Sequence, residues 1–98
     1  MNNNQFLHKG WLNKQSRFLK KWRRRYVVLS KSHLLTFKSE NINDAPTETI
    51  QIKTCKSIKS ADSQTGKPHS FCIHGNDIEY NFYADTEDDK NKWIGLVS

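Results

Sequence analysis

The first 39 residues contain no carboxylate. Ten cations stand in that stretch (Lys9, Lys14, Arg17, Lys20, Lys21, Arg23, Arg24, Arg25, Lys31 and Lys38), whereas all ten Asp and Glu residues come after it. The formal charge of +6 is therefore the sum of a strongly basic first part and a mildly acidic remainder. Charge divided this way along a short chain reads as a binding face for a polyanion. Long hydrophobic runs are also missing: the longest uncharged apolar stretch is Tyr26 to Leu29, and no apolar segment follows Met1. That argues against a membrane-spanning helix or a secretory leader in these residues and sets the expectation of a soluble, cytoplasmic chain. Two cysteines, Cys55 and Cys72, are too few for a disulfide framework and are expected as reduced, buried thiols.

Catalytic and metal-binding patterns are lacking as well. No Gly-rich phosphate loop, no nucleophile beside a base and no paired carboxylates on a cleft-like segment occur, so no enzyme is expected. Cys55, His69, Cys72 and His74 lie close in sequence, but Cys72 and His74 are two apart in one expected strand, unlike the close pairs of a structural zinc site. Neither a metal nor a cofactor is expected.

What is present fits one small domain. The chain has 98 residues, of which 35% are hydrophobic and 11% aromatic, which predicts a core resting on a few large rings. Residues 1–7 are expected as a flexible polar lead and residues 8–98 as the domain, part of a larger protein. Short runs of aromatic and β-branched residues alternate with polar loops, so strands are predicted over Lys9 to Gln15, Trp22 to Ser30, His33 to Lys38, Thr47 to Ile52, Cys55 to Ser60, His69 to His74 and Ile78 to Ala84. Ala61 to Pro68 reads as a loop. Thr86 followed by Asp89, with Glu87 and Asp88 between, is the signature of a helix start, and Trp93, Leu96 and Val97 then share a face. Seven strands and one helix predict a mainly β chain: a bent, nearly closed barrel with the helix plugging one end.

Strand alternation gives the barrel a site. Leu12 and Lys14 share one face of the first strand, and Arg23, Arg25, Val27 and Leu29 share one face of the second. If the apolar members point inward, Lys14, Arg23 and Arg25 continue the same face to the barrel mouth. Convergent cations call for an anionic ligand. Two guanidinium forks and one ammonium suit a compact, multiply phosphorylated headgroup, each charge-assisted bond being worth roughly 1.5–3 kcal/mol before ordering costs. Arg24 has the opposite parity and is expected in solvent. The connecting loop carries Arg17, Lys20 and Lys21 around Phe18 and Leu19, a basic hairpin tip able to meet a membrane interface, at about 1 kcal/mol per cation near anionic lipid.

These residues resemble the pleckstrin homology (PH) domain family from His8 to Ser98. The resemblance rests on KGWLNK at Lys9 to Lys14, WRRRYVVL at Trp22 to Leu29 and the single Trp93 of the final helix. Within the family the chain looks most like the N-terminal domain of protein kinase B (Akt/Rac) type serine/threonine kinases, through the length of the first loop and the run Ala45 to Cys55. The resemblance implies a seven-stranded PH-type barrel of two near-orthogonal antiparallel sheets with one C-terminal helix. It implies a 3-phosphorylated inositol lipid headgroup held by Lys14, Arg23 and Arg25, with Arg17, Phe18 and Leu19 beside it and a base at Arg17 broadening or strengthening lipid binding. It further implies recruitment of a parent signalling protein to the inner leaflet of the plasma membrane. Three positions depart from the pattern: Glu48 stands where the kinase-type pocket has a polar residue, Tyr80 where it has a basic one, and Thr36 where other binders have a tyrosine. Two alternatives use the same basic stripe. One is a protein-interaction domain with weak, nonspecific lipid binding. The other is a nucleic-acid-binding small barrel, disfavoured because parity sends Arg23 and Arg25 to one face and Trp22 and Tyr26 to the other.

Overall fold

Antiparallel pairing of neighbours in sequence builds almost the whole molecule. The computed structural model describes residues 6–98, so the first five residues of the expected lead lie outside it. Seven strands follow in order: β1 (Phe6–Gln15), β2 (Trp22–Ser30), β3 (His33–Phe37), β4 (Glu48–Gln51), β5 (Ser57–Ser60), β6 (Ser70–His74) and β7 (Glu79–Tyr83). A one-turn helix α1 (Asp62–Thr65) lies between β5 and β6, and helix α2 (Glu87–Val97) ends the chain. The strands form a single sheet in the order β4-β3-β2-β1-β7-β6-β5. Two meanders, β1 to β4 and β5 to β7, thus meet along β1, which pairs with β2 over its length and with β7 only at Asn13 and Lys14. The mainly β class, the seven strands and the C-terminal helix are as expected.

Several boundaries differ, each for a local reason. β1 begins at Phe6, so Phe6 and Leu7, assigned above to the lead, are strand; Phe6 pairs with Ser30 across a register irregularity before His8. β5 starts at Ser57 rather than Cys55 because Ile52–Thr54 form a single 3-10 turn, closed by the Cys55 amide on the Ile52 carbonyl at 3.0 Å. His69 stands outside β6 with a left-handed φ of 61°, and the turn into β7 places Asp77 at a φ of 59°. The expected loop over Ala61 to Pro68 contains α1, which stops at Gly66, a left-handed C-cap with a φ of 76°.

Leu12 and Val27 are fully buried and Leu29 nearly so, which fixes the inner face that alternation predicted. The ring-rich core is only half right. Phe71 stacks on Phe82 at 5.3 Å and Trp93 is fully buried, but Leu34, Ile50 and Ile73 fill the same cluster. Four other rings lie on the outer face as edge pairs, Trp11 with its cross-strand partner Tyr26 and, over the intervening β1, Trp22 with Tyr83. Cys72 is buried and Cys55 half-buried, both free thiols; burial pushes Cys72 up to about 11 and also raises Cys55.

Helix α2 starts as its sequence dictates, with Thr86 Oγ1 accepting the Asp89 amide at 3.1 Å. Its buried face is the expected one only in part: Trp93 is fully buried and Val97 packs against the core, but Leu96 is 38% exposed, while Lys90 is 3% exposed and lies one turn before Trp93 on the inner side. The Lys90 ammonium is satisfied by Ser60 Oγ at 2.7 Å and Asp62 Oδ1 at 3.0 Å, with Glu87 at 3.4 Å. Asp62 in turn accepts the amides of His69 and Ser70. One carboxylate therefore ties α1, β6 and α2 together.

That carboxylate is held down to about 2, chiefly by the Lys90 hydrogen bond and then by the Ser70 amide. A folded pKa below the unfolded value adds stability above the unfolded pKa, and that stability disappears as pH falls through the folded one. Thermal unfolding followed by circular dichroism should show wild type melting above Asp62→Asn at pH 6, with the gap closing between about pH 4 and about pH 2.

Candidate functional site

The β1–β2 hairpin decides where the cations go. Lys14 pairs directly with Arg23 and Leu12 with Arg25, so all four side chains project from the same face of the sheet. Leu12 ends the core on β1, Val27 ends it on β2, and the next residues outward on that face are the charged ones. The loop between the strands is closed by Ser16, whose amide donates to the Lys21 carbonyl at 2.7 Å and whose hydroxyl accepts the Lys21 amide at 3.0 Å. Lys20 takes a left-handed φ of 56° to complete the turn.

Lys14, Arg23 and Arg25 line one cavity of about 180 Å³, together with Ser16, Thr47 and Glu48. Lys14 is 9% exposed, Arg25 is half-buried and Arg23 is exposed, so the three run from floor to rim. Arg17 is not in the lining but reaches the rim, its Nη1 3.9 Å from Glu48 Oε2. Lys20 and Lys21 are exposed and outside the lining. Phe18 is 89% exposed and Leu19 67%, so neither folds back over the mouth; the Arg17 guanidinium lies over the Phe18 ring at 5.6 Å. Arg24 points to the opposite face, where it makes a two-pronged pair with Asp85 at 2.8 Å for both bonds.

Glu48 is the resident that sequence reasoning left without a partner. It stands at the start of β4, paired through β3 at Thr36, and its Oε1 forms an ion pair with Lys14 Nζ. The signal was present as a lone acid directly after the Pro46–Thr47 entry to β4, but only the β3–β4 register shows that it faces Lys14. Thr36 is fully buried with its hydroxyl on Thr47 Oγ1 at 2.6 Å; it is not in the cavity lining, although Thr47 is. Tyr80 is half-buried on β7; burial first, and then the Glu48 carboxylate, push its phenol up. Among the described residues no group of His, Cys, Asp and Glu is arranged to hold a metal, and no helix is long and apolar enough to cross a membrane.

The family model of the PH domain matches residues 6–96. The chain belongs to the PH domain family. Its relatives include Pleckstrin homology domain-containing protein 1 of Arabidopsis thaliana, 34% identical over 92 residues that cover 90% of this chain and 63% of that protein. The RAC-beta serine/threonine-protein kinase of Rattus norvegicus is 28% identical over 108 aligned positions, covering 99% of this chain and 21% of the kinase. The chain thus spans less than two thirds of these relatives. Among solved structures, the Slm1 PH domain in complex with phosphoserine superposes with a TM-score of 0.83 at 21% identity, over 97% of this chain and 94% of that one. The C-terminal PH domain of pleckstrin in complex with D-myo-Ins(1,2,3,4,5)P5 does so with 0.77 at 22% identity, over 94% of both chains. At these identities the superpositions establish the fold of this PH domain, a non-catalytic module.

The ion pair makes the cations energetically unequal. Lys14→Ala leaves the Glu48 carboxylate, only 19% exposed, without its inner partner and should lower stability by about 1–2 kcal/mol, a partly exposed site giving less than a fully buried pair. Arg23→Ala removes an exposed side chain and should stay within about 0.5 kcal/mol of wild type. Urea unfolding of the two variants beside wild type measures both.

Proposed function

We propose that this PH domain binds a 3-phosphorylated inositol lipid headgroup through Lys14, Arg23 and Arg25, with Arg17 at the rim, and so brings the protein it belongs to onto the cytoplasmic leaflet of the plasma membrane. The observation that carries the reading is the cavity that those three cations line at the mouth of the sheet. Its size, about 180 Å³, suits a phosphorylated ring held by its edge rather than a long chain. Arg23 and Arg25 supply planar forks for phosphate oxygens, and Lys14 supplies an ammonium from the floor. The exposed Phe18 and Leu19, flanked by Lys20 and Lys21, extend the same end of the molecule toward a bilayer, where rings and aliphatics enter the interface and ammonium groups meet anionic lipid.

Two lines of similarity agree with a phosphorylated ligand. The pleckstrin neighbour was solved with an inositol pentakisphosphate, and another solved complex of the Slm1 PH domain holds D-myo-inositol-4-phosphate. The RAC-beta relatives, 28% identical, support a serine/threonine kinase as the parent, beside the plant protein at 34%.

Sedimentation with phosphatidylcholine vesicles carrying single phosphoinositides tests the reading. Retention by 3-phosphorylated lipids, lost about tenfold or more in Arg25→Ala and only weakly reduced by raised salt, is the expected result. Equal retention on every anionic vesicle, or an Arg25→Ala variant that binds as well as wild type, would leave general attraction and a protein partner as the function.

A further inference from the structure

We infer that Glu48 sets how many phosphates the basic cavity accepts, an inference that rests on the phosphoinositide reading above. Its carboxylate bridges two of the four cations: Oε1 pairs with Lys14 Nζ, and Oε2 lies 3.9 Å from Arg17 Nη1. The inner pair is well withdrawn from water, the Lys14 side chain being 11% exposed and that of Glu48 19%. Arg23 and Arg25 have no carboxylate within ion-pairing distance among the described residues. Arg25 Nη1 donates to the Arg24 carbonyl at 2.9 Å and keeps its remaining donors.

The cavity is therefore divided into two halves. On the β2 side, two guanidinium groups stand ready for phosphate oxygens. On the β1 side, the ammonium already has an anion supplied by the chain. A phosphate that reaches Lys14 displaces that anion and then shares a cavity of about 180 Å³ with the carboxylate it has freed, where like charges oppose each other. Arg17 is placed to receive the displaced carboxylate, but it stays at the rim. Tyr80 adds no positive charge to compensate, since a phenol is neutral or anionic; burial first, and then Glu48, keep it from ionising. The ligand class that fits is a myo-inositol ring whose phosphates are gathered on the Arg23 and Arg25 side. A phosphate directed at Lys14 contributes less than one held by the arginines, because it must first displace Glu48.

Glu48→Gln tests this with the shape of the side chain kept and its charge removed, and a thermal melt verifies that the variant folds. Isothermal titration calorimetry would compare a bisphosphate and a tetrakisphosphate of free myo-inositol on wild type, Glu48→Gln and Arg25→Ala. Wild type is expected to bind the two ligands within about threefold of each other, whereas Glu48→Gln should bind the tetrakisphosphate about tenfold tighter than wild type does and the bisphosphate nearly unchanged. An equal gain for both ligands, or a gain for neither, overturns the role of Glu48. If wild type and Glu48→Gln bind no inositol phosphate at all, the phosphoinositide reading fails and this inference with it. If wild type binds and Arg25→Ala does not, while Glu48→Gln is indifferent, only the inference about Glu48 falls. The same three proteins on phosphatidylcholine vesicles containing the matching lipids separate the two sources of the ligand. Selectivity reproduced on vesicles assigns it to a lipid headgroup, and selectivity confined to the free compounds assigns it to a soluble inositol phosphate.

Discussion

The register of the β1–β2 hairpin is the constraint on which the rest depends. Pairing Lys14 with Arg23 and Leu12 with Arg25 places core residues and cations on one face, in order from the inside out. A slip of one residue would turn Val27 and Leu29 out of the core cluster and bring Arg24 and Tyr26 inside, so the apolar part of the hairpin enforces the position of the charged part. Burial of Leu12, Val27 and Leu29 and the convergence of Lys14, Arg23 and Arg25 are thus a single structural fact seen from two ends. The like charges that this register sets side by side are moderated by Glu48, which arrives from β4 through a separate set of pairings.

Much of this was legible in the sequence because alternation is a local property. The extent of β2 and the cap at Thr86 follow from residues within a few positions of one another, and they stand where expected. Contacts made over long separations were not legible in the same way. Nothing near Lys90 in the sequence marks it as buried, yet it is buried because Asp62 and Ser60, some thirty residues earlier, come to meet its ammonium. Leu96 looked like a core residue by spacing alone, but the helix is rotated so that Lys90 and Trp93 occupy the inner side. Glu48 could be placed beside the cations by family resemblance, but its pairing with Lys14 depends on the β3–β4 register, which no short-range pattern encodes.

The two faces of the β1–β2 hairpin use opposite solutions for charge. On the outer face Arg24 is fully matched by the two oxygens of Asp85, and the neighbouring rings cover the strands in edge pairs. On the inner face Arg23 and Arg25 keep donors that no carboxylate among the described residues takes up. The same run of three arginines therefore contains one residue that holds the fold and two that remain open to a ligand, divided by nothing more than the pleat of the strand.

Lys14 also lies at the one place where β1 is laddered on both sides, opposite Arg23 of β2 and Phe82 of β7. Its backbone cannot move without opening two ladders, whereas residues 16–21 are held by Ser16 and short turn contacts with their apolar side chains in water. An anion entering here would meet a stiff floor and a yielding rim. The entropy lost on binding would fall almost wholly on the loop, which makes changes in loop flexibility, rather than in the charged floor, the gentlest way to tune residence time without disturbing the sheet.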